Sequence, residues 1–235
     1  MAALERRTTE SSGHRPIPDR PELLADEDLA PPPRQQRSLD RRTRLENAAL
    51  RLFGERGYDA TTIEDIAGGA RVPTGGFYLH FRSKRQLLLS LMNDLLIGLS
   101  RLDLSTEAGA HPRAILIELL TRGFESDLRY LGAYRAWQEA VLSDLDLARK
   151  QRAIHDWTAA RAAAVFRRLQ TLAGARPEVD VDTLAHVMDS VFWSLLARAA
   201  GTRDVQLARS VNTTAELIYH ALFLDTPATT PSAGR

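Results

Sequence analysis

From Leu45 to Leu222 apolar residues return every three or four positions, the period of helices that bury one face. Leu45, Ala49, Leu52 and Phe53 make the first stripe, with Ser38 as a start signal and Gly57 as a left-handed stop. Ile63, Ile66, Ala67 and Ala70 make a shorter one behind TTIE, where Thr61 and Glu64 have the spacing of a capping box. SKRQ, with Ser83 and Gln86, is a second such box and opens a long helix carrying Leu87, Leu88, Leu91, Leu95, Leu99 and Leu102. His111-Pro112 opens the next, with Ile117, Leu120, Phe124 and Leu128, and Gly132 is expected to separate it from AYRAWQEAVL. The stretch from Leu147 to Gly174 reads as one long helix. Leu184, Val187, Met188, Val191 and Leu195 form the penultimate stripe, Gly201 breaks it, and Val211, Ala215, Ile218 and Leu222 form the last. No period-two run is present, so the predicted fold is all-α. Residues 1–37 mix proline with charge and are expected to form a disordered arm, and residues 226–235 a disordered tail.

One region departs from this grammar. TTIEDIAGGARVPTGGFYLHF, residues 61–81, holds two Gly-Gly pairs and a proline inside a helical pattern, and these are the residues a helix interior tolerates least. Two short helices joined by a tight turn satisfy both facts. Pro73 suits the first turn of a new helix, where its missing amide hydrogen has no partner to lose. Val72 is placed to plug the turn, while Gly75 and Gly76 keep the start of the next helix slim. A helix so presented fits the DNA major groove. Hydroxyls and free amides at the starts of the second and fourth helices, with Thr61, Thr62, Ser83 and Lys84, suit phosphates.

Charge sharpens that reading. The chain of 235 residues has net charge +1, yet residues 34–90 hold eleven basic against six acidic side chains, the asymmetry of a nucleic-acid-binding segment. The arginines of RQQRSLDRRTR suit either a phosphate or minor-groove contact or a solvated helix start. Cysteine is absent, which removes disulfides, thiolate metal sites and cysteine nucleophiles. Neither a membrane-spanning run nor a signal-peptide block is visible, so a cytoplasmic location is expected.

RLENAALRLFGERGYDATTIEDIAGGARVPTGGFYLHFRSKRQLLLSL, residues 44–91, resembles the DNA-binding domain of the TetR family of bacterial transcriptional regulators. The likeness rests on Ala49 and Phe53, GY and TTI, the IA of the second helix, VPTGGFYLHF, and SK with LL in the fourth. It implies a helix-turn-helix DNA-binding domain at 38–83, followed at 84–225 by a helical effector-binding and dimerisation domain. It also implies that Thr62, Thr74, Gly75, Tyr78, His80 and Lys84 touch DNA, with Thr74 and Gly76 reading bases, and that Phe77 and Phe81 lie in the core; Arg44, Thr61 and Arg71 are expected beside them on phosphates. Many members of the family have glycine where this chain has Arg71. The partners so implied are a palindromic double-stranded operator, an unidentified small-molecule effector and a second copy of the chain. The last two helices, with Val191, Leu195, Val211, Ile218 and Leu222, are the expected dimer interface, and a ligand-responsive repressor the expected activity.

In the C-terminal half, aromatic residues interleave with polar ones. Core packing is the default for such residues, and a ligand cavity built from Phe124, Tyr134, Trp137, Gln138, His155 and Trp157 is the functional alternative. No histidine pair has metal-ligand spacing, no cofactor motif is present, and no nucleophile or carboxylate signature suggests an enzyme. A helical protein-interaction scaffold, or a helical enzyme acting on a small molecule without DNA binding, are the alternatives. The local excess of positive charge argues against the scaffold.

Overall fold

A computed structural model describes residues 17–31, 35–104, 111–199 and 204–223. The described helices are α1 (Gln36–Arg56), α2 (Ile63–Gly69), α3 (Thr74–Phe77), α4 (Lys84–Ser100), α5 (Pro112–Leu128), α6 (Leu131–Ala140), α7 (Leu145–Gln170), α8 (Val181–Ala199) and α9 (Asp204–Leu222). No strand occurs among the described residues, so the chain is all-α as predicted. No described helix is long and apolar enough to cross a membrane. The expected break at Gly201 and the expected tail at 226–235 lie outside the described residues.

α1, α2 and α3 enclose Phe53, Ile66, Phe77 and Phe81, and this core continues into α4, α6 and α7 through Leu87, Leu91, Trp137 and Trp157. A second core, around Leu116, Phe166, Leu169, Ala215 and Leu222, fills the far end between α5, α7, α8 and α9. Apolar side chains thus run without interruption from the small N-terminal unit into the bundle.

α4 is the spine. The sequence from Leu87 to Leu99 is apolar on nearly every side, and a helix of that kind is stable in water only if it is covered all round. Beside α5 and α6, part of the cover comes from residues 17–31, where an arm was expected to be disordered. Leu23 is 1% exposed and belongs to the main core. Arg20 donates from Nη1 to Asn93 Oδ1 at 2.8 Å, and Gln86 Nε2 donates to Asp28 O at 2.7 Å. Arg85 binds Glu27 and also bonds Asp144 Oδ2 at 2.8 Å and Asp146 Oδ2 at 2.6 Å, tying this segment, α4 and the start of α7 into one ionic knot. Burial works against that guanidinium charge, and the bonds from Asp144 and Glu27 more than offset it, so its pKa is raised. Residues 1–16 of the expected arm lie outside the described residues.

Gly132 does not separate two helices. It sits within the first turn of α6, and the break falls at Arg129 and Tyr130. A Cβ on Gly132 would lie 1.8 Å from Leu50 O, so this glycine is where α6 crosses α1 in backbone contact. The crossing is sealed by polar bonds. Arg135 Nη1 donates to Gly54 O at 2.6 Å, and Glu139 accepts from the amides of Tyr58 and Asp59 at 2.6 and 3.1 Å. Gly57 ends α1 at φ 85°, and a Cβ there would meet Glu139 Oε2 at 2.4 Å, so both conformation and space demand glycine.

Candidate nucleic-acid interface

The α2–turn–α3 unit is built from short local bonds. Thr62, and not Thr61, is the N-cap of α2: its Oγ1 accepts from Asp65 N at 3.1 Å while Asp65 Oδ2 accepts from Thr62 N at 3.1 Å. The capping box is one residue later than the TTIE spacing suggested. That shift turns Thr61 inward, where its hydroxyl donates to Gly57 O at 2.7 Å, fully buried. Val72 N donates to Ala67 O at 2.9 Å and its side chain is buried in the core that also holds Ile66 and Phe77, as expected of a plug. Arg71 occupies the turn at φ 54°, the left-handed region that a side chain adopts at a cost. The glycine common in the family at this place follows from that backbone geometry.

The outward surface is narrower than the ten residues expected. Thr74 and Gly76 are half-exposed and Gly75 and Arg71 exposed, with Tyr78 at 45% and Leu79 at 66% completing one face of α3 and the following turn. Leu79 escaped the sequence reading. Its signal was an apolar residue between Tyr78 and His80 in a segment whose core positions Phe77 and Phe81 were already assigned. A Cβ on Gly75 would meet nothing within 4 Å, whereas one on Gly76 would stand 2.7 Å from Val72 Cγ1. Gly75 thus leaves the outer surface slim, and Gly76 lets the turn pack. Arg44 is exposed on α1, and Thr62 is exposed with its hydroxyl engaged in the cap.

Three residues expected at the DNA face the other way. Thr61 is buried as described. His80 is only 4% exposed, lodged near Arg41 and Arg42, and burial together with those guanidiniums holds its pKa below the ordinary value. Lys84 extends back over α1 and α2: Nζ donates to Tyr58 O at 2.7 Å and Thr61 O at 2.9 Å and lies 4.2 Å from the Tyr58 ring centre. It fastens α4 to the loop between α1 and α2, so its charge is engaged within the protein.

The bundle holds a cavity of about 170 Å³ between α4, α5, α7, α8 and α9, lined by Leu99, Leu116, Trp157, Arg161, Met188 and Phe192 among others. Of the six residues expected at a ligand, only Trp157 lines it. Tyr134, Trp137, Gln138 and His155 surround a crevice of about 10 Å³, room for a single water at most. Phe124 borders a separate hollow of about 280 Å³ with Thr121 and Val211, and its ring packs 4.5 Å from that of Phe192. Helical periodicity placed the aromatics inside without telling which inward direction met the void. No group of three or more metal-ligating side chains occurs among the described residues.

An N-terminal helix-turn-helix unit on a helical bundle is the architecture of a large class of bacterial DNA-binding regulators. Residues 46–91 match the model of the bacterial regulatory proteins of the tetR family. It is 36% identical over 116 residues to the HTH-type transcriptional repressor KstR2 of Rhodococcus jostii, covering 48% of this chain and 57% of that protein. It is also 36% identical over 90 residues to the uncharacterized HTH-type transcriptional regulator YerO of Bacillus subtilis, covering 37% of this chain and 31% of that one. The chain thus spans about a third to just over half of the length of these curated relatives. Its fold matches that of the ketosteroid transcriptional regulator KstR2 of Mycobacterium tuberculosis with a TM-score of 0.60 at 22% identity, over 79% of this chain and 96% of that one.

Proposed function

We propose that the protein is a DNA-binding transcriptional regulator, a ligand-responsive repressor that acts as a homodimer on a palindromic operator. The observation that carries this reading is the exposed face formed by Arg71, Thr74, Gly75, Tyr78 and Leu79 on a rigid helix-turn-helix. A surface with an arginine, hydroxyls and an apolar tip, free of acidic side chains, suits phosphates, base edges and thymine methyls. Thr74 and its neighbours read bases, while Tyr78, Arg71 and Arg44 fix the register on phosphates.

The dimer brings together the outward faces of α8 and α9, where Val187 and Leu217 are exposed. Val211, Ile218 and Leu222, expected at that interface, are instead buried in the chain's own bundle, and Val191 and Leu195 are partly so. A two-fold axis is needed because one helix-turn-helix reads too few bases for specificity. The effector acts from the 170 Å³ cavity, whose Leu99 lies at the end of the α4 spine that begins at the DNA-binding unit. Such coupling requires the ligand to bind the DNA-incompetent arrangement better, typically by about 1–3 kcal/mol.

Fluorescence anisotropy of the protein against the intergenic DNA beside its gene, with shuffled DNA as control and at two salt concentrations, tests the reading. Selective binding that weakens with salt is expected. Absence of binding to any DNA at low salt rejects it, and Thr74→Ala with unchanged sequence preference rejects the assignment of the base-reading face.

A further inference from the structure

The 170 Å³ cavity is walled almost wholly by hydrocarbon, with two charged side chains, Arg161 and Asp189, at its edge. Their situations differ. Asp189 is saturated: Oδ1 accepts from Thr158 Oγ1 at 2.5 Å and from Trp193 Nε1 at 3.0 Å, and Oδ2 stands 2.6 Å from His155 Nδ1. Arg161 has main-chain partners alone among the described residues, from Nη2 to Leu99 O at 3.0 Å and Leu102 O at 3.4 Å, where α4 ends. Those carbonyls carry a fraction of a charge. Burial depresses the pKa of this guanidinium, and no carboxylate among the described residues offsets the effect.

A full positive charge held partly out of water, beside an apolar hollow and with no carboxylate bonded to it among the described residues, is a standing cost that an anion relieves. The Trp157 ring, 5.1 Å from the guanidinium carbon, helps to hold it beside the cavity that both residues line. Nε and Nη1 have no hydrogen-bond partner among the described residues, and a charged guanidinium donor holds a carboxylate oxygen more strongly than it holds a hydroxyl. An engineered cavity of about 150 Å³ takes benzene, so this one suits a ligand of about six to ten non-hydrogen atoms.

We infer that the cavity binds a small hydrocarbon carboxylic acid, its carboxylate on Arg161 and its chain among Leu99, Leu116, Val165, Met188 and Phe192. The inference names the effector class for the regulator proposed above and rests on that reading for its biological meaning; the binding itself does not.

Calorimetric titration of the full-length protein, without DNA, with octanoate, 1-octanol and octyltrimethylammonium tests it. Octanoate is expected to bind about tenfold or more tighter than octanol, the margin of a charge-assisted bond. In Arg161→Gln that margin disappears while octanol affinity holds, and Arg161→Lys keeps part of it. The wild-type comparison stands even if a variant fails to fold. Equal affinity for octanoate and octanol overturns the inference, as does preference for the ammonium, which would place recognition on Asp189, or no binding of any of the three. Octanoate binding that leaves DNA affinity unchanged supports the site and counts instead against the ligand-responsive reading.

Discussion

Gly132 of α6 rests on Gly54 of α1: a Cβ added to Gly54 would lie 3.5 Å from the Gly132 Cα, and one added to Gly132 would lie 3.1 Å from the Gly54 nitrogen and 1.8 Å from Leu50 O. At this crossing the helix-turn-helix unit and the bundle therefore meet through backbone, with no side chain between Gly132 and α1 to yield.

Gly132→Ala is expected to force the two helices apart. Overpacking typically costs about 1–3 kcal/mol, and a clash with a carbonyl oxygen belongs at or above the upper end. Gly75→Ala is the contrast, because its Cβ meets nothing within 4 Å. Alanine's better helix propensity should leave the fold unchanged or more stable by up to about 1 kcal/mol. Urea unfolding followed by circular dichroism checks both. Equal stability of the two variants would show that the crossing has slack.

Lys84 and Tyr78 are expected to separate when stability and DNA affinity are measured together. Each phosphate contact made by a cation contributes about 0.9 to the slope of log affinity against log salt. Lys84 is held by Tyr58 O and Thr61 O, so Lys84→Gln should leave that slope unchanged while lowering stability by about 1–3 kcal/mol, the worth of charged hydrogen bonds. Tyr78→Ala should keep stability and weaken operator and shuffled DNA alike, and it too should leave the slope unchanged, because a neutral phenol releases no counterion. A slope that drops by about one in Lys84→Gln would return this lysine to the DNA.

These outcomes also mark how far the sequence could be read. The helices, the turn and Gly57 follow from periodicity and glycine chemistry, both local properties of the chain. The direction of individual polar side chains does not. Thr61 and Thr62 are adjacent and chemically identical, and only the tertiary position of the Gly57 and Leu52 carbonyls decides which one turns inward. Lys84 looked free because its two acceptors lie in a loop more than twenty residues earlier. The docking of residues 17–31 had a legible sign, the all-round apolar surface of α4, which had to be covered by something. The pocket had none, since core and cavity aromatics share the same spacing.

Arg71→Gly should be nearly neutral for stability and costly for binding. The left-handed backbone at φ 54° strains an arginine by about 1–2 kcal/mol. Glycine relieves that strain but adds flexibility to the unfolded chain, worth about 0.5–1 kcal/mol the other way. The net change in unfolding free energy should stay within about 1 kcal/mol. Loss of an exposed guanidinium beside α3 should meanwhile lower affinity for every DNA sequence and reduce the salt slope by about one. Unchanged affinity and slope would mean that the side chain at this turn position stays clear of phosphate.

His80 gives the interface unit a pH dependence with a defined sign. Burial, reinforced by Arg42 and Arg41, favours the neutral imidazole and holds its pKa below the ordinary 6.5. The unfolded chain therefore takes up a proton near pH 6.5 while the folded chain does not. Wherever the unfolded state binds more protons, stability falls as pH falls. The stability present above pH 6.5 should thus be lost progressively below it, until the folded-state pKa is also passed. His80→Gln removes this contribution, so the stability difference between wild type and variant should shrink on going from about pH 7 to about pH 5, with the other histidines cancelling in the comparison. Urea midpoints at the two pH values measure it, and an NMR titration of the imidazole carbons reads the protonation directly. An imidazole that titrates at or above 6.5 would place His80 in water or against an acid, and its side chain would then be available to DNA after all.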